Sequence, residues 1–188
     1  MICTIIFNFV KTLHLLLEHL SDSYICTKFY PMKIRKAAIQ DMPRVLELIK
    51  ELAVFENQPD AVQISVSDLE RDGFGLHPLF QILVADMDGT IPGIALFYNR
   101  YSTWKGKTIH LEDSIVSEKF RGSGIGMQLY QAVMQEAKSQ NVRRVEWNVL
   151  DWNTPAISFY EKTGAVVFKD WLVAQMDEKG LIHFLDRK

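Results

Sequence analysis

The chain has 188 residues, 48% of them hydrophobic and 23% charged, with 21 Lys and Arg against 23 Asp and Glu for a net charge of -2. That is enough chain for one ordinary globular domain, and the balance excludes a collagen repeat, low-complexity disorder and a disulfide-stapled mini-protein. Near-neutrality gives no overall field for collecting nucleic acid or an anionic membrane, so neither is expected as a partner.

Residues 1–31 differ from the rest of the chain. Ile5, Ile6, Phe9, Val10, Leu13, Leu16, Leu17 and Leu20 recur at helical spacing and leave Asn8, Lys11, His14 and Glu18 on another face. An amphipathic helix is expected, as an extension to a domain over 32–188 or a stretch read from a start upstream of Met32. Lys11 and Glu18 break it below the length of a spanning helix. No basic residue precedes the apolar run, so no secretory signal is read and the cytoplasm is the expected compartment. Cys3 and Cys26 lie in this stretch without metal-site or disulfide spacing, and no metal is expected.

From Met32 the elements alternate. Lys33 to Ala37 reads as a strand. Asp41 is expected to cap a helix through Glu56, with Pro43 in its first turn and Val45, Leu48, Ile49 and Leu52 on one face. Ser67 to Glu70 has capping-box spacing for a second, short helix that stops near Gly73 and Gly75. Phe80 to Met87 and Ile91 to Tyr101 are strand-like runs joined at Asp88-Gly89, a dipeptide suited to a tight hairpin. Thr108 to Val116 continues the sheet. Ile125 to Lys138 is helical, Val142 to Leu150 a buried strand, Thr154 to Lys162 a helix closed by Gly164, and Trp171 to Met176 a last strand. The pattern of the tail from Asp177 to Lys188 does not decide between helix and strand.

Arg121-Gly122-Ser123-Gly124-Ile125-Gly126 falls between a strand and a helix. Glycines let backbone approach a ligand, and the first turn of a helix offers unpaired N–H groups and the positive end of its dipole to an anion. Met127 and Gln128 follow the last glycine, so the run fits neither a P-loop, which needs Lys then Ser or Thr, nor a dinucleotide fingerprint.

The pattern R-x-x-G-x-G resembles that of the GNAT superfamily of acetyl-CoA-dependent N-acyltransferases. Asp151 to Tyr160 looks like the same family's N-x-x-A-x-x-F-Y helix. Leu48 to Ala53, Asp72-Gly73-Phe74-Gly75 with His77-Pro78, Trp104 with Gly106-Lys107, and Leu111-Glu112-Asp113 narrow the resemblance to the spermidine/spermine-type diamine N-acetyltransferases. The resemblance implies an α/β fold with a mixed sheet of about six to seven strands, splayed at its centre and flanked by about four helices, and a homodimer. It implies acetyl-CoA as co-substrate, its pyrophosphate held by Arg121, Gly122, Ser123, Gly124, Ile125 and Gly126, and its pantetheine met by the backbone of Ile115 and Val116 and by Asn153. Tyr160 would reach the sulfur.

An alkyl amine with pKa about 10.4 is almost wholly protonated at pH 7, so something must accept its proton. Strand alternation sends Glu112 and Asp113 to opposite faces, so only one is expected to look into a site. The resemblance favours Glu112 as general base, with Asp113 at the amine. The expected reaction is direct attack on the thioester in a ternary complex, the oxyanion met by strand backbone N–H at Ile115 and Tyr160 protonating the leaving thiolate. Residues 32–188 hold no cysteine for an acyl-enzyme. Glu56 matches the family's acid at the end of the first helix, and Tyr101 and Trp104 are suited to an alkyl stem or cation. Asn57-Gln58-Pro59-Asp60 and Ser102-Thr103 are less acidic than in the polyamine enzymes, which points to a shorter diamine or an amino-acid-like amine such as thialysine. His77 and His110 read as packing or surface residues. A protein lysine or N-terminus as acceptor, and an acyl-CoA sensor without turnover, are the competing readings.

Overall fold

The computed structural model describes residues 32–187, and the helix expected in 1–31 lies outside them. The chain divides at Val145 and Glu146 into two compact units. The first runs β1 (Lys33–Lys36), α1 (Met42–Phe55), α2 (Val66–Phe74), β2 (Gln81–Met87), β3 (Thr90–Ser102), β4 (Gly106–Val116), α3 (Ile125–Ser139) and on to β5 (Val145–Glu146). The second carries α4 (Thr154–Lys162) and α5 (Glu178–Leu185).

The strands form one sheet in the order β1-β2-β3-β4-β5, with β1–β2, β2–β3 and β3–β4 antiparallel. Both faces of β2 and β3 are covered, which is why they read as near-continuous apolar runs instead of alternating. Ile82, Val84, Ile94 and Leu96 join Met42, Val45 and Leu48 of α1 and Leu69 of α2 in the main core. On the other face Leu129 of α3 packs under Gly93. At the β2–β3 turn Asp88 and Gly89 both take positive φ, 53° and 85°, the conformation that matches a tight hairpin to strand twist.

Most element boundaries fall within two residues of the sequence reading. Ser65, not Ser67, caps α2: its hydroxyl accepts from Asp68 N–H while Asp68 accepts from Ser65 N–H. Asp41 does not cap α1 with its side chain, because its carboxylate is taken by Ala38 N–H and Arg35.

The strand count differs from the expected six to seven. Five strands and five α-helices are present among the described residues. Of Val142 to Leu150 only Val145–Glu146 pairs, and it is half-buried. Trp171 to Met176 is irregular, with Trp171 73% and Leu172 93% exposed. Strand propensity in an apolar run supplies no ladder partner, and without one the run stays out of the sheet. The tail forms a helix, α5, because Asp177 caps it by accepting from Gly180 N–H. No helix among the described residues is long and apolar enough to cross a membrane.

Candidate active site

The alternation expected for Glu112 and Asp113 is broken. In the β3–β4 ladder Leu96 faces Asp113 but Phe97 faces Leu111, so Glu112 is one extra residue on β4. Such a bulge leaves a residue unpaired and re-aims the side chains beside it. As a result both carboxylates line one cleft of about 490 Å³, with Ile49, Ile64, Leu69, Leu79, Phe80, Leu96 and Tyr98 as the rest of its wall.

Two neighbours hold Glu112. Tyr98 donates its hydroxyl to Oε2 at 2.9 Å, and Nε2 of His110 lies 3.5 Å from the same oxygen. Tyr98 and His110 are cross-strand partners with ring centroids 5.3 Å apart. Sequence reasoning missed both. The signal was there in part: His110 and Glu112 are two apart on a strand and therefore share a face.

Asp113 is pushed up to about 6, first by burial, then by the charges of Glu112 and Glu56. Glu56 is itself raised by burial. It sits at the C-cap of α1, where Asn57 at φ 60° closes the helix with paired bonds, Gln58 N–H to Ala53 O and Asn57 N–H to Val54 O. Among the described residues no Lys or Arg pairs with any of these three carboxylates, of which Glu56 and Glu112 keep exposed surface and Asp113 is half-buried without a counter-charge.

The glycine turn follows β4. Gly122 and Gly124 take φ of 75° and 83°, and a Cβ at either would meet nothing within 4 Å, so conformation and not crowding calls for glycine there. Gly124 is the N-cap of α3, whose first helical bond runs from Gln128 N–H to Gly124 O. The preceding N–H groups of the helix are therefore open to an anion. Arg121 reaches back from the turn: Nε donates to Val116 O at 3.1 Å, and the guanidinium lies 5.1 Å from the Phe55 ring centroid. Ser123 is turned to Phe120 O. Ile115 is buried in the core, so it offers only backbone.

Tyr101 and Trp104 are 77% and 78% exposed. Tyr101 pairs with Lys107, five residues before Glu112, which is about 17 Å along the strand. Within one chain they are not brought to the carboxylates.

Asn153 and Tyr160 belong to the second unit. Asn153 caps α4, accepting from Ala156 N–H through Oδ1 and leaving its amide donors unspent. Tyr160 stacks near Trp147, centroids 4.9 Å apart, and its carbonyl accepts from Ala165 N–H beyond Gly164 at φ 93°.

The family model for the acetyltransferase (GNAT) family matches residues 42–165, a stretch that holds both the glycine turn and the bulged strand with its paired acids. The chain belongs to the GNAT family. GNAT enzymes take their acetyl group from acetyl-CoA, and the open N–H groups at the start of α3, with two αL glycines before them, fit a diphosphate. This GNAT chain is 39% identical over 140 residues to a thialysine N-epsilon-acetyltransferase of Bos taurus, covering 70% of the chain and 82% of that protein. It is 38% identical over 141 residues to a human spermidine/spermine N(1)-acetyltransferase-like protein 1, covering 71% of the chain and only 20% of that longer protein. The fold is shared with an aminoglycoside N-acetyltransferase solved in complex with CoA, at a TM-score of 0.61 and 19% identity, over 77% of this chain and 93% of that one.

Proposed function

We propose that the protein moves the acetyl group of acetyl-CoA to the primary amine of a small molecule with a second cationic group: a short diamine, a polyamine or a thialysine-like amino acid. The observation that carries this reading is the trio Glu56, Glu112 and Asp113, left without a Lys or Arg among the described residues, beside an apolar cleft. An alkyl chain with ammonium ends supplies both what the carboxylates lack and what the apolar wall favours. Bovine and human relatives named for thialysine and for spermidine/spermine support the same class.

In this reading Arg121, Gly122, Ser123, Gly124, Ile125 and Gly126 take the pyrophosphate, and the backbone of Ile115 and Val116 with the Asn153 amide takes the pantetheine. Glu112 accepts the proton of the bound ammonium, directly or through water, and Asp113 and Glu56 hold the substrate's charge. The neutral amine attacks the thioester carbon and the C–N bond forms to give a tetrahedral intermediate; the C–S bond then breaks as Tyr160 gives its proton to the thiolate, the extra proton on the new amide nitrogen leaves to solvent, and Tyr160 recovers its own from there. An N–H on β4 at Ile115 stabilises the oxyanion between those events. Tyr101 and Trp104 serve the substrate only if a second copy presents them, and the reading includes a homodimer. Exposed Trp171, Leu172 and Val173 support it as apolar surface for a second copy to cover. We keep the cytoplasm as its compartment, since 32–188 has no cysteine for a disulfide.

The test is thiol release from acetyl-CoA with a panel of monoamines, diamines, thialysine and lysine peptides. Thialysine or a diamine should be turned over fastest, and Glu112→Gln should cut that rate about a hundredfold or more. Fastest turnover of peptides would move the acceptor to protein, and tight acetyl-CoA binding with no release for any amine would make the domain a sensor.

A further inference from the structure

The carboxylate assigned as base is half exposed, its side chain 51% open, and a free Glu samples many rotamers that aim its oxygens elsewhere. Base catalysis depends on the proton acceptor standing where the ammonium arrives. On β4, His110 is only 8% exposed yet carries a nitrogen, Nδ1, that meets no hydrogen-bond partner among the described residues, while Nε2 faces Glu112. A buried orphan nitrogen asks for a reason. Leucine or phenylalanine would fill the space at no such cost.

Resting on Glu112 as the base, we propose that His110 and Tyr98 are positioning residues that clamp one carboxylate oxygen so that the other takes the proton. Both contacts fall on Oε2, and Oε1 has no partner among the described residues. The surroundings assign the tautomer. With its proton on Nε2 the ring points a donor at the carboxylate and leaves Nδ1 a bare lone pair; the other tautomer would turn a lone pair to the anion and bury an unpaired N–H. The bulge makes the clamp necessary. A residue squeezed out of the ladder loses the fixed direction that pairing gives its neighbours, and the cross-strand pair Tyr98–His110 restores it from two sides.

The test compares His110→Phe, which keeps the ring and loses the donor, with His110→Gln, which keeps an amide donor and packs worse. With acetyl-CoA and thialysine, Tyr98→Phe should lower kcat about tenfold, the worth of its hydrogen bond, and His110→Phe, whose contact is longer at 3.5 Å, by severalfold, with the KM for acetyl-CoA unchanged. His110→Gln should recover most of that loss. A packing role reverses the order, and Phe outperforming Gln, or wild-type kcat in both Phe variants, overturns the proposal. In a Glu112→Gln background the His110→Phe effect should vanish. A wild-type rate in Glu112→Gln alone would instead remove the base assignment, a different failure. A readout independent of the amine comes from urea midpoints of the single and double variants of His110 and Glu112: non-additive shifts support contact between them, and strict additivity refutes it.

Discussion

The sheet carries two groups of carboxylates and treats them in opposite ways. At the β1–β2 edge, Asp41 and Asp86 are each 7% exposed and share Arg35, with Lys33 also 3.9 Å from Asp86. Arg35 gives Nε to Asp86 at 2.7 Å and its two terminal nitrogens to Asp41 at 2.6 and 3.1 Å. Ala38 and Gly89 N–H groups complete the acceptors. Both carboxyls are held below their usual range, first of all by the Arg35 hydrogen bonds. Across the sheet, Glu56, Glu112 and Asp113 have no such cation among the described residues, and burial with mutual repulsion lifts Asp113 to about 6. The first group is complete as folded. In the proposed reading the second is completed by a bound cationic substrate, and that difference separates structural charge from a candidate binding site.

The comparison breaks most visibly at Arg35. Arg35→Leu leaves two buried carboxylates with only the exposed Lys33 beside Asp86, and about 3 kcal/mol of stability should be lost at pH 7, the lower end for breaking a buried pair because Arg35 is 28% exposed. Asp41 and Asp86 have depressed values in the folded state, so their contribution is present above the ordinary 3.8 and fades as pH falls through the folded values. Melting curves should therefore show the wild type and Arg35→Leu converging toward pH 3. A constant gap would mean that Arg35 acts by packing alone.

Asp113 has the opposite sign. Its folded value of about 6 lies above the ordinary 3.8, so the folded state binds a proton more readily and loses stability as pH rises through that window. Replacing it removes the penalty. Asp113→Asn should raise stability at pH 8 by roughly 2 kcal/mol, against an upper bound of about 3 from the shift itself, and by nothing near pH 4. The same variant should bind a diamine more weakly, the trade expected of a destabilised site. Equal stability at both pH values would show that Asp113 carries no stored repulsion.

Sequence made the outer frame of this picture legible and hid its centre. Long periodic segments such as α1 and α3 announce themselves, and Asp88-Gly89 marks a hairpin because few other pairs accept positive φ twice. The acids and the glycine turn were visible as types in a familiar order. The bulge at Glu112 was not, because one extra residue in a ladder changes no periodicity until the partner strand's register is known. The contacts of Tyr98 and His110 with Glu112 were hidden for the same reason: they depend on a cross-strand pairing that neither strand states alone. Arg35 carried no signal of its own, since Asp41 and Asp86 reach it only through the fold.

The smallest expected effect probes how the second group works as a unit. Glu56 raises Asp113 as the third cause, after burial and Glu112. Glu56→Gln should weaken binding of a diamine about tenfold and leave a monoamine nearly unchanged, since a single exposed or half-buried ion pair carries on the order of 1 kcal/mol. It should also ease Asp113 downward. Below about pH 6 the wild-type cluster protonates at Asp113 and loses a charge, so its KM for the proposed diamine should climb as pH falls. In Glu56→Gln that climb should begin at lower pH, because the group that resisted ionisation of Asp113 is gone. Linkage requires the converse: a bound diammonium must draw protons out of the wild-type cluster near pH 6, and must draw fewer out of the variant. Proton release measured by calorimetry in two buffers reads this directly, and equal release from both proteins would show that Glu56 and Asp113 do not act together.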